Sequence, residues 1–267
     1  MDNLVEINNL SYSYKDKTIF HNLQISIKKE TTNLILGTNS SGKTTLIRIL
    51  SGILPSENSI NVNGIILNKK NIKKYLLSIG AVFFDDVNKF LFDKVIDELA
   101  FPLENLNYNK KDIMNRINEV SKLLEIQNCI DKKTGELTIF EQVKVLIGMS
   151  IMHNPKVIFL DNALSKLTNN EVKKLFKLLD RIKTNTTICI TSSDMEHILS
   201  FDNVIVINEG KTLFNDIPNN VLQHDNELAR SGFYIPPMID LSLKLSFYGL
   251  VDEIIVDVDR MVDTLWK

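Results

Sequence analysis

The 267-residue chain is short of several things, and each shortage excludes something. It has two cysteines, Cys129 and Cys189, far apart and without CxxC spacing, so neither a disulfide scaffold nor a cysteine metal site is expected. Both sit among apolar residues and read as reduced core thiols of a cytosolic protein. The longest uninterrupted apolar or small stretch, residues 145–152, is far below the ~20 residues that a membrane span needs. Met1-Asp2-Asn3 leads directly into an alternating pattern, and no secretory leader is expected. Excess charge is also missing, since a formal net charge of -2 gives no field for holding nucleic acid. Low-complexity stretches and internal repeats are absent. What remains, 44% hydrophobic and 24% charged residues, is an ordinary globular composition. The length exceeds the usual domain of about 100–200 residues, so one large domain with a smaller appendage is expected.

Alternation of apolar and polar residues predicts antiparallel strands over 3–9 and 19–27, then a short buried strand over 33–36. A helix is predicted from Lys43 to Leu54, and strands at 59–62, 65–67 and 79–83. Residues 86–140 carry helical spacing, with Leu99, Leu103 and Leu106, then Ile117, Val120, Leu123 and Leu124. A helix over 141–152 leads into Val157-Ile158-Phe159-Leu160, apolar throughout, as suits a parallel strand covered on both faces. A helix (170–183), an apolar strand (187–191), a helix (195–200) and a hairpin (204–206 with 212–214) follow. This alternation argues for an α/β core with a mainly parallel sheet. Beyond Pro218 the pattern changes to short amphipathic helices interrupted by Pro236-Pro237 and Gly249. The division expected is a domain over 1–218, its helical part at about 86–150, and a helical or mixed C-terminal domain over 219–267.

Gly37-Thr38-Asn39-Ser40-Ser41-Gly42-Lys43-Thr44 fits G-x-x-x-x-G-K-[ST], between a buried strand and an apolar-periodic helix. Backbone N–H groups from Asn39 to Thr44 can converge on phosphates, aided by the positive end of the helix dipole. Gly37 and Gly42 admit the close backbone approach, Lys43 adds a point charge, and the Thr44 hydroxyl is a candidate magnesium ligand. Asp161, closing the second apolar strand, lies where an acid can act on that metal.

Further segments carry a family resemblance. Leu10-Ser11-Tyr12-Ser13-Tyr14, the phosphate loop, Leu137-Thr138-Ile139-Phe140-Glu141-Gln142, Leu160-Asp161-Asn162-Ala163-Leu164-Ser165, Thr191-Ser192-Ser193-Asp194 and Ile207-Asn208-Glu209-Gly210-Lys211 follow in the order of an ABC ATPase domain. That resemblance spans residues 3–217. Val82-Phe83-Phe84-Asp85-Asp86-Val87-Asn88-Lys89-Phe90 and Val95-Ile96-Asp97-Glu98-Leu99-Ala100-Phe101 are similar to the ATPases of energy-coupling-factor (ECF) transporters, as is the tail Glu227-Leu228-Ala229-Arg230-Ser231-Gly232-Phe233-Tyr234-Ile235-Pro236-Pro237.

The resemblance implies a P-loop fold with a mainly parallel sheet, an antiparallel β subdomain, a helical subdomain and a C-terminal dimerisation domain. It implies ATP and Mg2+ as ligands, with Tyr14 stacking on adenine and Gly37, Asn39, Ser40, Ser41, Gly42, Lys43, Thr44 and Thr45 around the phosphates. Thr44 and Asp161 would serve the metal. Thr138 and Glu141 belong to the signature segment that faces a partner's nucleotide, and Ser165 would lie near the dimer interface. Implied partners are a second ATP-binding subunit, expected to be an intact relative, an integral membrane coupling subunit and a membrane subunit that selects a vitamin or metal ion. The place implied is the cytoplasmic face of the cell membrane.

The departures from that pattern bear on mechanism. Phe84 stands where the family has its magnesium-sensing glutamine, with Asp85 or Asp86 as substitutes if the loop shifts. Asn162 stands where a glutamate positions the attacking water. Ser193 replaces the switch histidine, and Ile139 and Phe140 replace two signature glycines, obstructing approach to a partner's phosphate. The expectation is a subunit that binds Mg-ATP and hydrolyses it poorly. Open beside it stand a soluble ABC-type regulator or pseudo-ATPase and an unrelated P-loop kinase. Tyr12 and Tyr14 also fit ordinary strand positions. Asp97 and Glu98 fit either a groove that receives membrane-subunit arginines or a solvated helix face. Phe83, Phe84, Phe90, Phe92 and Phe101 fit either that groove or the core. His21, His153, His197 and His224 read as surface or cap residues.

Overall fold

The computed structural model describes residues 3–15, 17–56, 58–85 and 90–266. Strands β1 (Asn3–Tyr14) and β2 (Lys17–Lys28) pair antiparallel, and β1 also pairs with β4 (Ile60–Val62), which carries β5 (Ile65–Ile66). The second sheet has six strands. They are β3 (Thr32–Gly37), β6 (Ile79–Phe83), β7 (Val157–Asp161), β8 (Thr187–Ser192), β9 (Asn203–Asn208) and β10 (Lys211–Asp216). Their order is β10-β9-β3-β8-β7-β6, parallel except for the β9–β10 hairpin.

Strand periodicity divides the interior into two cores, because successive side chains leave opposite faces of the sheet. On one face Leu34, Leu36, Val82, Ile158, Leu160, Ile188, Ile190, Val204 and Val206 meet the helices. On the other, Ile35, Val157, Phe159, Cys189, Ile205 and Ile207 meet the antiparallel sheet and helix α1 (Lys43–Leu50). The antiparallel sheet offers mainly alternate residues, Val5, Ile7, Leu23, Ile25 and Ile27, with Leu4 also buried where the β1 register shifts. A short helix α2 (Ile72–Leu76) pins Tyr75 beneath this layer, its hydroxyl donating to the Leu50 carbonyl at 2.7 Å. Both cysteines are buried and free.

The helical face is built by α3 (Val95–Glu104), α4 (Lys110–Leu123), α5 (Ile139–Ile151) and α6 (Asn169–Ile182). The helical reading of 86–140 is corrected. Among the described residues of that segment α3, α4 and the first two residues of α5 are α-helical, with single 3-10 turns at Gln127–Cys129 and Thr134–Glu136 between α4 and α5. Residues 86–89 lie outside the described residues. Asn107, in the left-handed region at φ 59°, separates the two helices, and Asn109 caps α4 by accepting from the Asp112 N–H. A helix over 195–200 does not form beyond one 3-10 turn at Ile198–Ser200. The Asp194 side chain accepts from the Glu196 N–H at 2.5 Å and offers the backbone a turn instead. Helix α1 stops at Leu50, ahead of Gly52 at φ 74°.

Four helices close the chain: α7 (Pro218–Leu222), α8 (Asp225–Arg230), α9 (Pro237–Phe247) and α10 (Val258–Leu265). Val221, Leu222, Leu228, Phe233 and Ile239 join the helix-side core, so packing is continuous across position 218. A separate small core holds Val251, Ile255 and Met261, with Met238 and Leu245 against it.

Candidate functional site

Strands β3, β6, β7 and β8 run parallel, so Gly37, Phe83, Asp161 and Ser192 end at one edge of the sheet. That edge is where open α/β sheets hold ligands. The loop after β3 turns through Ser40 at φ 67° and Gly42 at φ 99°. A Cβ on Gly42 would lie 2.8 Å from Ile19 Cγ2 and 2.9 Å from the Phe20 ring, so only glycine fits. Helix α1 then starts with no side-chain cap and no acid in its first turn. Its leading N–H groups therefore stay available to an anion. Ser41 Oγ is buried beside Gly37 without a hydrogen-bond partner, outside the cavity lining.

The parity of the sheet aims the polar groups. Asp161 and Thr191 continue the positions that face α1, and there the Thr44 hydroxyl donates to Asp161 Oδ2 at 2.8 Å. Thr191 donates to Asp161 Oδ1 at 2.7 Å and accepts from the Asn162 N–H at 2.9 Å. Lys43 Nζ donates to the Gly37 and Thr38 carbonyls at 2.7 and 3.0 Å. Burial pushes its pKa down, opposed by the charge of Asp161. A lysine charge, free amides and an oxygen pair at Thr44 and Asp161 suit a phosphate chain and a hard divalent cation. The residues therefore fit Mg-ATP.

Among the described residues, Asn39, Ser40, Gly42, Lys43, Thr44, Thr45, Asp161, Asn162 and Ser193 line one cavity of about 280 Å³. Two further liners, Ile19 and Thr191, carried no assigned role in the sequence reading, and Asp85, named there as a substitute for the magnesium-sensing glutamine, completes the lining. Tyr14 stands outside this lining, 40% exposed and edge-on to Tyr12 with ring centroids 5.1 Å apart. Thr138 and Glu141 also lie outside it. They form a capping box at the start of α5, and Glu141 Oε1 accepts from Lys132 Nζ at 2.8 Å. The Lys132 ammonium, first among several donors, pulls the Glu141 pKa down to about 2. Of the two bulky signature residues, Phe140 packs against the core below Lys144, whereas Ile139 stands out, 50% exposed.

At the end of β6 the structure selects between alternatives that the sequence leaves open. Phe84 shares the parity of Val82, so it is buried in the helix-side core and offers nothing to the cavity. Asp85 is the residue that turns into the cavity, where its Oδ2 accepts from Asn162 Nδ2 at 2.6 Å. Asp86 lies outside the described residues. Glu98 is neither solvated nor free for an arginine. It is fully buried, accepting the Leu91 and Phe92 N–H groups, and desolvation raises its pKa. His153 is half-buried, with a ring nitrogen 2.8 Å from the Ile79 carbonyl. His224 is exposed and stacked on Phe214.

The central parallel sheet, the phosphate loop and the Thr44–Asp161 pair define a P-loop ATPase of the ABC class. The ABC transporter family profile matches residues 20–165, more than half of the chain. The chain belongs to this family and, within it, to the ATP-binding proteins of energy-coupling factor transporters. It is 30% identical over 271 residues to the energy-coupling factor transporter ATP-binding protein EcfA1 of Mesomycoplasma hyopneumoniae (strain J), covering 99% of this chain and 98% of that protein. Identity to the corresponding EcfA of Pediococcus pentosaceus is 32% over 243 residues, 88% of this chain and 86% of the other. Among solved structures it is similar to cbiO1 of Clostridium perfringens, part of the ABC transporter complex cbiONQ. That match has a TM-score of 0.77 and 29% identity over 86% of this chain and 94% of that one.

Proposed function

We propose that this chain is an ATP-binding subunit of an ECF-type importer and works as one half of a head-to-tail pair. Its phosphate loop and Asp161 would hold Mg-ATP against the signature segment of a second, intact ATP-binding subunit. The observation that carries this reading is the Thr44 hydroxyl, held 2.8 Å from Asp161 beside an uncapped helix start. Magnesium bound by Thr44 and Asp161 would neutralise charge on the outer phosphates. The amides of residues 39–44 and the Lys43 ammonium bind and orient the triphosphate.

Hydrolysis by this chain is slow in the proposed scheme. The Asn162 amide can orient water but takes no proton from it, so that position supplies none of the general-base assistance, worth about 10²–10⁴-fold, that a glutamate there gives. Ser193 puts a neutral hydroxyl at the switch position. The partner's nucleotide would meet Ile139, whose exposed side chain holds a phosphate off the amides of α5. The chain thus acts chiefly through ATP-dependent pairing, and pairing moves the membrane subunits. A groove of about 510 Å³ beside β6, with Ile53, Leu76, Pro102 and Met149 on its walls, suits a helix of an integral membrane coupling subunit. No helix among the described residues is long and apolar enough to cross a membrane, which suits peripheral attachment. Exposed Phe247, Tyr248 and Trp266 support assignment of the C-terminal region to pairing. The cargo in this reading is a micronutrient, a vitamin or a metal ion, selected by a separate membrane subunit.

The test is a titration of the full chain with a fluorescent ATP analogue in Mg2+. Saturable binding, weakened roughly tenfold or more (about 1.4 kcal/mol) in Lys43→Ala, is the expected result. Binding that Lys43→Ala and Thr44→Ala both leave untouched would remove the phosphate loop from the mechanism. Purification from detergent should also bring down an integral membrane protein and a second ATP-binding subunit.

A further inference from the structure

The family pattern has an amide at the end of the β6 strand and a carboxylate after the Asp161 strand. Here both groups are present at exchanged strand ends, the carboxylate one residue beyond the amide's position, which Phe84 holds. Asn162 supplies the amide, Asp85 supplies the carboxylate, and the two are joined at 2.6 Å inside the cavity that holds Lys43 and Thr44. The exchange has a local cause. Phe84 follows Val82 into the helix-side core, and burying that ring turns the next residue toward α1 and the phosphate loop.

Asp85 and Asp161 are the two carboxylates that line the cavity among the described residues, and their surroundings differ. Asp161 is buried, and each of its oxygens already accepts a hydroxyl proton, one from Thr44 and one from Thr191. Asp85 is half exposed. It accepts one N–H from Asn162, and Lys166 Nζ stands 3.6 Å from its other oxygen, which leaves acceptor capacity facing the cavity.

We infer that Asp85 is the carboxylate that accepts from the hydrolytic water, held in position by the Asn162 amide. The inference rests on the proposed Mg-ATP site and accounts for whatever slow turnover the chain retains. In the step assigned, the water oxygen bonds to the γ-phosphorus. The bond from that phosphorus to the bridging oxygen breaks, and its electron pair leaves on ADP. The water proton passes to Asp85 and from there to the released phosphate or to solvent.

The experiment is a single-turnover assay of the full chain in excess over Mg-ATP, with phosphate release and ATP affinity measured side by side, the latter with and without Mg2+. Asp85→Asn keeps the shape and a hydrogen bond to Asn162. It should slow phosphate release on the order of 10²–10³-fold while ATP affinity and its Mg2+ dependence stay within about threefold. The exchanged variant Asp85→Asn/Asn162→Asp returns a carboxylate to the other strand end and should regain at least about tenfold over Asp85→Asn. Equal release by wild type and Asp85→Asn, no release by wild type, or a defect that the exchange fails to relieve would each overturn the inference and leave the ATP-binding role standing. Loss of ATP binding in Asp85→Asn would overturn it as well, placing Asp85 in nucleotide binding. Absence of ATP binding by wild type would sink both.

Discussion

At the residue scale, Thr191 links the carboxylate of β7 to the backbone that follows it. Its hydroxyl donates to Asp161 Oδ1 and accepts from the Asn162 N–H, and it is buried. Thr191→Val preserves shape and removes both bonds, leaving a buried carboxylate oxygen and an amide unpaired. The expected cost is about 1–3 kcal/mol, read as a lower urea midpoint at unchanged slope. Magnesium-dependent ATP affinity should fall with it, because Asp161 loses one of its two orienting donors. Asn162 itself sits at φ 60°, a conformation that Asn and Asp adopt far more readily than glutamate. Asn162→Glu therefore carries a backbone cost of roughly 1–2 kcal/mol, and Asp is the better carrier of a restored carboxylate there.

At the scale of the element, helix α5 depends on its first turn. The Thr138 side chain accepts the Glu141 N–H, and the Glu141 carboxylate accepts the Thr138 N–H and the Lys132 ammonium. Removing the cap in Thr138→Ala should cost about 1 kcal/mol. Glu141 has a folded pKa near 2, against an ordinary 4.5. A depressed carboxylate stabilises the fold fully above 4.5, and that contribution disappears as pH falls through about 2. Glu141→Gln should therefore lower the melting temperature at neutral pH, with the gap to wild type closing between pH 4.5 and 2. The spacing Thr138-x-x-Glu141 is that of a capping box, a signal that the expected helix start at 141 did not use, and the helix begins at Ile139. Strands β3, β7 and β8 were legible because burial on both faces leaves a continuous apolar run in each, Leu34–Leu36, Val157–Leu160 and Ile188–Ile190. In the segment from 86 to 140 the spacing marked α3 and α4. It did not mark the exposed loop whose Leu91 and Phe92 N–H groups the buried Glu98 accepts, nor the 3-10 turns after α4, because those are held by single polar contacts that leave no period. Phosphate-loop residues could be assigned from their types alone. The roles of Phe84 and Asp85 depended on which face of the sheet each residue meets, and that is set by pairing with β7, far away in the chain.

At the scale of the whole molecule, the interior closes and the C-terminal surface does not. The two large cores bury nearly every apolar side chain of the sheet, while the third core consists of Val251, Ile255 and Met261 with two partly buried neighbours. Around it Phe247 is 85% and Trp266 81% exposed, with Tyr248, Leu250, Val258 and Val262 also open. So many large apolar groups in one short segment exceed what an isolated surface ordinarily leaves in water. A stable protein contact buries about 1,600 Å² in total and rests on a few aromatic anchors. Phe247 and Trp266 are the candidates for that role here. Neither belongs to the phosphate cavity, so their removal separates pairing from nucleotide binding. In Phe247→Ser/Trp266→Ser, concentration-dependent association in sedimentation should weaken by roughly 30-fold or more, as two anchors of about 2 kcal/mol or greater require. The melting temperature and the ATP affinity of the dilute chain should hold, because both side chains are already solvated in the single subunit. Association as strong in the variant as in wild type would assign pairing to the nucleotide face alone, leaving the exposed C-terminal aromatics to a contact with some other subunit.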